Sequence, residues 1–394
     1  MTSVEDEEPG GPSGAPSVRD HRYGTGDPFT IGIEEEYMIL DADSLELACR
    51  IEDVIEATNG TVVAGRVHPE LTESCTEVAT HVCRTVDDAR RDLLELRRTL
   101  GDATRPLGLR IGGAGAHPFS LSEDQRITAN DRYRALVEQL QYVARRESCY
   151  GMHVHVAMPS QDVTIRVMEG LLPEVPLLLA LSTNSPFWRG KTTGLASTRV
   201  AVFSGFPRSG LPPRFENYDD YAEMIGWMEA TGVITDYTNI WWDIRPHPRL
   251  GTLELRVPDV QFDVEYTLSL AAYIQCCARE SVEKIRGGED PPALHRALIA
   301  ENKWLATRYG VDAQFMDLTA SRRQRVGVPQ LVRRRLRELM PHARELECAD
   351  ELAALQRIVE RGTGAQRQLR VYNANQDLIE VMSELSEYTV NGGR

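Results

Sequence analysis

The sequence lacks the segments that carry a protein into or across a membrane. Among its 394 residues, no apolar run reaches the roughly 18 residues that a membrane-spanning helix requires. The N-terminal segment has no basic stretch followed by an apolar core, which is the pattern of a secretory signal. We therefore expect a cytoplasmic protein that has no membrane among its partners.

Cysteine is scarce, and its spacing does not indicate a disulfide framework. The chain has seven cysteines, an odd number, and none is arranged as Cys-x-x-Cys. Cys276 and Cys277 are adjacent and cannot easily form a disulfide with each other. This pattern is typical of a reduced protein whose thiols act as small buried hydrophobic side chains. Cys75 and Cys149 lie within candidate site strands, but the pattern favours a structural role for them.

The chain also lacks the glycine-rich motifs that bind nucleotide phosphates. It contains no P-loop, no Gly-x-Gly-x-x-Gly segment and no kinase glycine-rich loop. Its net charge of −15 disfavours nucleic acid as a partner of the surface as a whole. A local cluster of arginine and metal could still bind an anionic substrate in a cleft.

The order of predicted elements indicates the fold class. Residues 1–27 are rich in Gly, Pro, Ser, Asp and Glu without an apolar pattern, which predicts a disordered tail. Residues 28–388 are expected to form a single domain, strand-rich over 28–260 and helical over 261–388. Because strands and helices do not alternate, this order favours an α+β fold with a largely antiparallel sheet. The segment 184–214 is dense in Gly, Ser, Pro and Arg, and a loop of that length is typically functional.

Acidic residues in the first predicted strand give the clearest indication of a site. Ile31–Tyr37 reads Ile-Gly-Ile-Glu-Glu-Glu-Tyr within an apolar run. Alternate side chains of a strand share a face, so Glu34 and Glu36 point one way and Glu35 the other. Carboxylates about 7 Å apart on one face repel each other unless positive charge lies nearby. Solvated acids on an exposed strand are the alternative, but the apolar flanks favour a cleft that binds Mg²⁺.

A second acidic segment runs from residue 68 to residue 77. Leu71–Val82 is apolar enough to be a strand. Glu73, Cys75 and Glu77 share one face of this segment if the strand is regular. The spacing alone therefore favours Glu73 and Glu77 as partners of the acids in the first strand.

Two further strands carry ligand-type residues on one face and apolar residues on the other. His153 and His155 alternate with Met152, Val154 and Val156. A single histidine is usually structural, but two on one face favour a role in binding a ligand or substrate. In the strand that begins at Thr252, Glu254 and Arg256 share a face in the same way, opposite apolar residues.

Together these side chains favour a particular metal chemistry. Carboxylates with one histidine and several waters suit Mg²⁺ or Mn²⁺, whereas zinc prefers more nitrogen and sulfur ligands. Such ions screen the charge of nucleotide phosphates, and arginine binds the phosphate oxygens through its forked donors. Since no glycine-rich loop is present, metal and arginine on a sheet would have to hold the phosphates.

The four segments occur in the order Ile-Gly-Ile-Glu-Glu-Glu-Tyr, Glu-Leu-Thr-Glu-Ser-Cys-Thr-Glu-Val-Ala-Thr, Gly-Met-His-Val-His-Val and Leu-Glu-Leu-Arg-Val-Pro-Asp. In this order and spacing the chain resembles the glutamate–cysteine ligase type 2 family, and more closely its YbdK-like carboxylate–amine ligase branch. Ser197–Val200 and Phe206–Pro213 are also similar to that branch. The resemblance covers roughly residues 29–385 and is specific for the family, but much less so for the substrate.

The resemblance implies a curved antiparallel sheet of the glutamine-synthetase-like kind, with helices on its convex side and metal ions and ATP on its concave face. It implies six metal ligands, which are Glu34, Glu36, Glu70, Glu77, His153 and Glu254. Glu254 and Arg256 would be the catalytic residues, with Arg256 in contact with the transferring phosphate. Arg199, in a mobile loop over the substrate, would bind carboxylate or phosphate.

One implied ligand conflicts with the spacing. Glu70 and Glu77 are seven residues apart, so a regular strand would place them on opposite faces. The resemblance therefore requires a bend near Pro69, whereas the spacing favours Glu73.

The implied reaction joins a carboxylate to an amine. A substrate carboxylate, the γ-carboxylate of glutamate or a related acid, would attack the γ-phosphorus of ATP to give an acyl phosphate and ADP. An amine, cysteine or another, would then displace phosphate and form an amide. Orientation, electrostatics and the exclusion of water would be the protein's contribution.

Three other functions remain open from the sequence. A phosphagen-kinase-like phosphotransferase would use a related sheet and the same site. A metal hydrolase is suggested by the His-x-His pair, although its further His and Asp ligands are missing. A nucleotide-binding protein without turnover is the third alternative. The sequence does not specify the oligomeric state, and a homodimer is a working expectation.

Overall fold

The first strand of the chain lies inside the main sheet and pairs with three other strands. The computed structural model describes residues 17–391. The main sheet contains β1 (Ile31–Asp41), β2 (Val67–Pro69), β3 (Cys75–Ala79), β4 (Leu109–Gly112), β5 (Met152–Ala157), β10 (Ile244–His247) and β11 (Thr252–Leu255). Short strand pairs are formed by β6 (Phe187–Trp188) with β7 (Lys191–Thr192), β8 (Ser209–Gly210) with β9 (Trp241–Trp242), and β12 (Gln314–Met316) with β13 (Arg325–Gly327).

Helices precede, separate and follow these strands. They are α1 (Ile51–Thr58), α2 (Val86–Thr104), α3 (Asp131–Leu140), α4 (Tyr142–Arg145), α5 (Gln161–Leu171), α6 (Val175–Ser182), α7 (Thr198–Phe203), α8 (Tyr218–Ala230), α9 (Val264–Arg286), α10 (Arg296–Tyr309), α11 (Val328–Glu345), α12 (Ala349–Ala353), α13 (Leu355–Arg361), α14 (Gly364–Asn375) and α15 (Leu378–Asn391). None of those in the described part of the chain combines the length and apolarity needed to cross a membrane.

The main sheet is antiparallel throughout. Its strand order is β10-β11-β5-β1-β3-β2, with β4 also paired to β1, and every neighbouring pair runs in opposite directions. The predicted α+β fold with a largely antiparallel sheet is confirmed. The helical part, in contrast to the simple expectation for residues 261–388, also contains the β12–β13 pair.

Helices cover one face of the main sheet, and they bind the side chain of Glu35, which projects from that face of β1. Glu35 is fully buried, and the equally buried Arg97 of α2 donates to it from Nε at 3.0 Å. Thr267 of α9 donates to the same carboxylate at 2.7 Å. Because α2 and α9 occupy this face, the side chains of Glu34 and Glu36 project from the opposite one.

Helix α2 begins at a capping box formed by Thr85 and Asp88. Thr85 accepts a hydrogen bond from the backbone N–H of Asp88, and the Asp88 side chain accepts one from the backbone N–H of Thr85. This capping box satisfies amide donors that would otherwise lack partners at the first turn. It thereby sets the start of the helix that delivers Arg97 to Glu35.

One apolar core extends through the strand-rich and helical parts. Ile33 of β1, Leu96 of α2, Leu270 of α9 and Leu385 of α15 all belong to the same buried cluster. The sheet face opposite the candidate site therefore rests on a continuous core, which gives the strands a rigid backing.

Residues 17–27 differ from the predicted disordered tail. Val18 and Tyr23 are buried, and the Tyr218 hydroxyl donates to the carbonyl of Val18 at 2.6 Å. The backbone N–H of Gly24 donates to the carbonyl of Met158 at 3.0 Å. Apolar burial and backbone pairing thus attach this segment to the body of the protein, so the tail boundary at residue 27 is misplaced. The rest of the predicted tail, residues 1–16, lies outside the described residues.

Candidate active site

The uncovered face of the main sheet forms one wall of a cavity of about 290 Å³. All eight residues that the resemblance implies line this cavity: Glu34, Glu36, Glu70, Glu77, His153, Arg199, Glu254 and Arg256. They come from segments far apart in the chain, and antiparallel pairing brings them together.

The strand register makes the acidic and histidine side chains cross-strand neighbours. Glu34 lies opposite His153 in the β1–β5 pair, and Glu36 lies opposite Glu77 in the β1–β3 pair. His155 is likewise paired with Glu254 of β11. Directly opposed side chains on one face of a sheet have Cβ atoms about 5 Å apart, so their ends can share one ligand.

The two histidines lie between carboxylates. His153 Nδ1 is 3.2 Å from Glu34 Oε2, and its Nε2 is 3.6 Å from Glu36 Oε1. His155 Nδ1 contacts the Thr252 hydroxyl at 2.9 Å, and its Nε2 is 3.3 Å from Glu34 Oε1. Both Nε2 atoms are buried and have no hydrogen-bond partner among the described residues. Each imidazole therefore presents a free ring nitrogen to the acids.

Glu254 is held by two arginines. Arg245 Nε donates to Glu254 Oε2 at 2.8 Å, and Arg256 Nη1 donates to Glu254 Oε1. Although burial opposes ionisation, these two guanidinium groups hold the pKa of Glu254 well below its usual range. The β11 side of the cavity thus carries a carboxylate that is charged and fixed in orientation.

The bend that the resemblance requires is present between β2 and β3. Glu70 follows β2 directly, and His68 of β2 pairs with Glu77 of β3. The strand predicted over Leu71–Val82 is shorter than expected, because residues 70–74 form the connection. Glu73 lies in that connection outside the cavity, where its carboxylate is 2.6 Å from Arg126 Nη2. The spacing argument for Glu73 is therefore wrong about where this side chain lies.

Electrostatics divide the site into two sides. Burial opposes ionisation of Glu34, but His155 and His153 hold its pKa well below the usual range. On the β2–β3 side, burial and the neighbouring Glu36 raise the pKa of Glu70 to about 7. Burial, with Glu34 next in importance, raises the pKa of Glu77 well above its usual range. Acids on this second side therefore lack sufficient positive charge.

Three groups of side chains are close enough to hold a cation. They are Glu34 with Glu77 and His153, Glu34 with His155 and Glu254, and Glu36 with Glu70 and Glu77. Within each group, one potential ligand atom per residue lies within 4.8 Å of the others. Hard oxygen donors with a minority of imidazole nitrogen match Mg²⁺ or Mn²⁺.

The two predicted phosphate-binding arginines are placed differently. Arg256 lies at the cavity wall, and its buried Nε has no partner among the described residues. Arg199 also lines the cavity, but its guanidinium donates to the backbone carbonyls of Val257 at 3.2 Å and Arg256 at 3.1 Å. Part of its donor capacity is thus used in fixing the end of β11.

Three residues of the cavity are absent from the set that the resemblance implies. The alternation in β5 favours ligand or substrate binding for His155 as for His153, and His155 belongs to one of the cation-sized groups. Arg245 could have been found from hairpin register, since it lies directly opposite Glu254. Glu147 lies in the connection between α4 and β5, where no periodic pattern indicates which side chains face the cavity.

A larger cavity of about 600 Å³ lies in the helical part of the protein. Its charged side chains are paired with one another, as in Arg335 with Glu280 at 2.7 Å and Arg334 with Asp317 at 2.9 Å. None of the residues from the four motifs lines it. The smaller cavity on the sheet is therefore the candidate active site.

Comparison with known families agrees with this geometry. The model of glutamate–cysteine ligase family 2 matches residues 30–385. The chain belongs to glutamate–cysteine ligase family 2. Membership of this family confirms the predicted class, an ATP-dependent carboxylate–amine ligase. The phosphotransferase alternative is not favoured.

Relatives of this family 2 ligase match along nearly their whole length. A Rubrobacter xylanophilus protein with the provisional name glutamate–cysteine ligase 2-1 is 42% identical over 92% of this chain and 95% of its own. A Herpetosiphon aurantiacus protein, provisionally named glutamate–cysteine ligase 2, is 37% identical over 93% of this chain and 94% of its own.

Solved structures share the fold of this family 2 ligase at low sequence identity. The Francisella tularensis glutamate–cysteine ligase, solved in complex with AMP, gives a TM-score of 0.67 at 14% identity, covering 92% of this chain and 89% of that one. A bifunctional glutathione synthetase from Pasteurella multocida gives a TM-score of 0.65 at 14% identity, covering 93% of this chain and 52% of that one. These similarities confirm the expected sheet architecture.

Proposed function

We propose that this cavity forms an amide between the γ-carboxylate of glutamate, or of a related acid, and an amine such as cysteine. The supporting observation is the meeting of β1, β3, β5 and β11 side chains as cross-strand neighbours in one cavity. A carboxylate oxygen attacks the γ-phosphorus of ATP, and the bond from that phosphorus to ADP breaks. The amine nitrogen then attacks the acyl carbon, and the bond from carbon to phosphate oxygen breaks.

Mg²⁺ or Mn²⁺ fits the cavity, and we propose Glu34, Glu36, Glu70, Glu77, His153 and Glu254 as its ligands. The fit rests on the buried, unpartnered Nε2 of His153 and on the raised pKa values of Glu70 and Glu77, which indicate missing positive charge. Burial and Arg256 lower the pKa of His153, which favours the neutral imidazole that binds metals. Bound cations would neutralise charge that develops on the transferring phosphate.

The remaining residues of the cavity supply binding and orientation. Arg256 has an unpartnered buried donor at the wall and is proposed to bind the transferring phosphoryl group. Arg199 is proposed to contact a carboxylate or phosphate with the donors that Val257 and Arg256 leave free. Protection of the acyl phosphate from hydrolysis by water is the third role that we propose for the cavity.

The test is ADP release with ATP, Mg²⁺, glutamate and a panel of amines. We expect release that depends on both glutamate and an amine, together with an amide product. Glutamate labelled with ¹⁸O in its γ-carboxylate should transfer label to phosphate, because that oxygen bridges carbon and phosphorus in the acyl phosphate. ADP release with a phosphorylated guanidine as product, or phosphate without label, would contradict the proposal. A cytoplasmic location and a homodimer stay predictions, to be tested by cell fractionation and light scattering.

A further inference from the structure

Glu147 is a carboxylate of the cavity that the metal and phosphate roles leave unused. It lines the cavity but belongs to none of the three cation-sized groups. One of its oxygens, Oε1, accepts the backbone N–H of Cys149 at 2.9 Å. Among residues 17–391 it forms no salt bridge, and its second oxygen receives no hydrogen bond. The side chain is thus oriented by the backbone and keeps one oxygen available to a substrate.

The surroundings of Glu147 suit proton transfer. Glu147 has electrostatic interactions with the charged groups of Glu36, Glu70 and Arg199, and with the thiol of Cys149. Burial, with Glu36 next in importance, raises the pKa of Glu147 to about 8. Burial, the largest cause, acts on Glu147 whether or not cations neutralise Glu36 and Glu70, and it brings this pKa from that of a solvated glutamate towards the working pH, where a general base is effective.

The proposed reaction requires such a group. An alkyl amine is an ammonium ion near neutral pH and has no lone pair with which to attack an acyl phosphate. On the basis of the proposed function, we infer that Glu147 is the general base that removes a proton from the acceptor ammonium. Glu147 is then a catalytic residue that contacts the amine substrate.

The proton balance of this step is complete. One ammonium proton moves to the free oxygen of Glu147, and the neutral nitrogen attacks the acyl carbon. The bond from carbon to phosphate oxygen breaks, and its electron pair leaves with the phosphate. A second proton moves from the nitrogen to the departing phosphate, and Glu147 returns its proton to solvent. The products are the amide and hydrogen phosphate.

The test compares acceptors that differ in protonation. Hydroxylamine is largely neutral near pH 7, whereas cysteine and ethylamine are ammonium ions. In Glu147→Gln the side chain keeps an oxygen that can accept the Cys149 amide. We expect this variant to lose about 100-fold or more in ADP release with the protonated amines, because general base catalysis is worth that factor. With hydroxylamine its rate should stay within a few-fold of wild type.

Two further variants complete the experiment. Glu138→Gln changes an exposed acid of α3 outside the cavity and should behave as wild type with every acceptor. Glu147→Asp keeps a carboxylate and should retain more amine-dependent activity than Glu147→Gln. If circular dichroism shows that Glu147→Gln does not fold, Glu147→Asp takes its place in the comparison of acceptors.

The outcomes separate this inference from the proposed function. Equal losses with hydroxylamine and with protonated amines, a changed KM for glutamate alone, or equal activity of all variants would overturn the role of Glu147. A wild-type enzyme that uses hydroxylamine but no protonated amine would overturn it as well. Failure of wild type to release ADP with any acceptor would overturn the proposed function, and the inference with it.

Discussion

Arg245 and Glu254 lie directly opposite each other in the β10–β11 hairpin, and Arg245 Nε donates to Glu254 Oε2 at 2.8 Å. The same guanidinium donates to the carbonyl of Ile240 at 2.8 Å. Arg245 therefore fixes one oxygen of Glu254 and leaves the other directed at Arg256 and the histidines. The pair links the stability of the hairpin to the geometry of the cavity.

Replacing Arg245 should cost both stability and activity. Arg245→Met removes one of the two arginines that bind the buried Glu254. Breaking a buried ion pair by removing one partner costs about 3–5 kcal/mol in the free energy of unfolding. Urea unfolding of the metal-free protein measures the loss. Arg105→Met is the control, because its pair with Asp102 is exposed and should contribute little. Equal stability of the two variants would contradict the role of Arg245.

Substitutions of Glu35 and Glu36, which are adjacent in β1, should affect different properties: the first stability and the second activity. Glu35→Gln weakens the buried pair with Arg97, and we expect a loss of a few kcal/mol in the free energy of unfolding. Glu36→Gln removes one of several mutually repelling acids, so the fold should stay intact while metal-dependent ATP turnover is abolished. Denaturant unfolding and ADP release measured on both variants test this contrast. Wild-type turnover in Glu36→Gln would refute the proposed ligand role.

Glu70 and Glu73 provide a matched pair close in sequence. Glu70→Gln should lower ATP turnover by about 100-fold or more, since ligand or oriented-charge losses in active sites reach that size. Glu73→Gln should keep near wild-type turnover, because its carboxylate contacts Arg126 outside the cavity. Steady-state ADP release across a series of Mg²⁺ concentrations makes the comparison. The reverse order of effects would favour the spacing argument.

Compared with a Glu70→Gln variant, the metal-free protein should lose stability as the pH rises. Glu70 has a folded-state pKa of about 7, so it stays protonated in the folded state where the unfolded chain has already ionised. At this residue the folded state therefore binds more protons, so the contribution of Glu70 to the free energy of unfolding falls from about pH 4.5 to about pH 7. Buried His117 and His247, with pKa values lowered to about 4 and about 3, contribute in the opposite sense, so the comparison with Glu70→Gln isolates this residue. Glu147 extends the fall to about pH 8. Urea unfolding in EDTA measures this slope.

Addition of Mg²⁺ should oppose that fall. A cation binds the ionised acids of the folded state and stabilises it in proportion to its affinity and concentration. The same unfolding series with Mg²⁺ should therefore show a flatter pH dependence, with the largest stabilisation at the highest pH. The same pH dependence of stability in wild type and Glu70→Gln, both without metal, would contradict the raised pKa of Glu70.

The effect of N-terminal truncation on stability should depend sharply on where the chain is cut. Deleting residues 1–24 removes the buried side chains of Val18 and Tyr23 and should cost about 3 kcal/mol or more. Deleting residues 1–16, which their composition predicts to be a disordered tail, should leave thermal stability and activity near wild type. Thermal unfolding of the two truncated proteins distinguishes a packed segment from a passive extension.

The sequence predicts the features of this fold that depend on local alternation. The faces of β1 and β5 follow from the period of two, which separates Glu34 and Glu36 from Glu35 and places His153 beside His155. The capping box at Thr85 follows from residue spacing in the same way. The order of elements predicts an antiparallel sheet, because strands precede the helices rather than alternating with them.

Other features depend on contacts between distant segments and leave no local pattern. Glu70 reaches the cavity because the chain turns between β2 and β3, and only the family resemblance indicated that turn. Glu147 lies in an irregular connection, and buried Val18 is attached to a distant part of the chain, since its carbonyl accepts a hydrogen bond from the Tyr218 hydroxyl. Propensity and periodicity describe single segments, so they could not place these side chains.

The alternation along β1 also limits how this enzyme can be altered. Since a shift of one residue moves every side chain of a strand to the opposite face, a single insertion or deletion upstream of Glu34 would turn Glu35 outwards. Glu34 and Glu36 would then point into the hydrophobic interior beside Arg97. Substitutions on either face of β1 can have graded effects, whereas a length change would destroy folding and catalysis together.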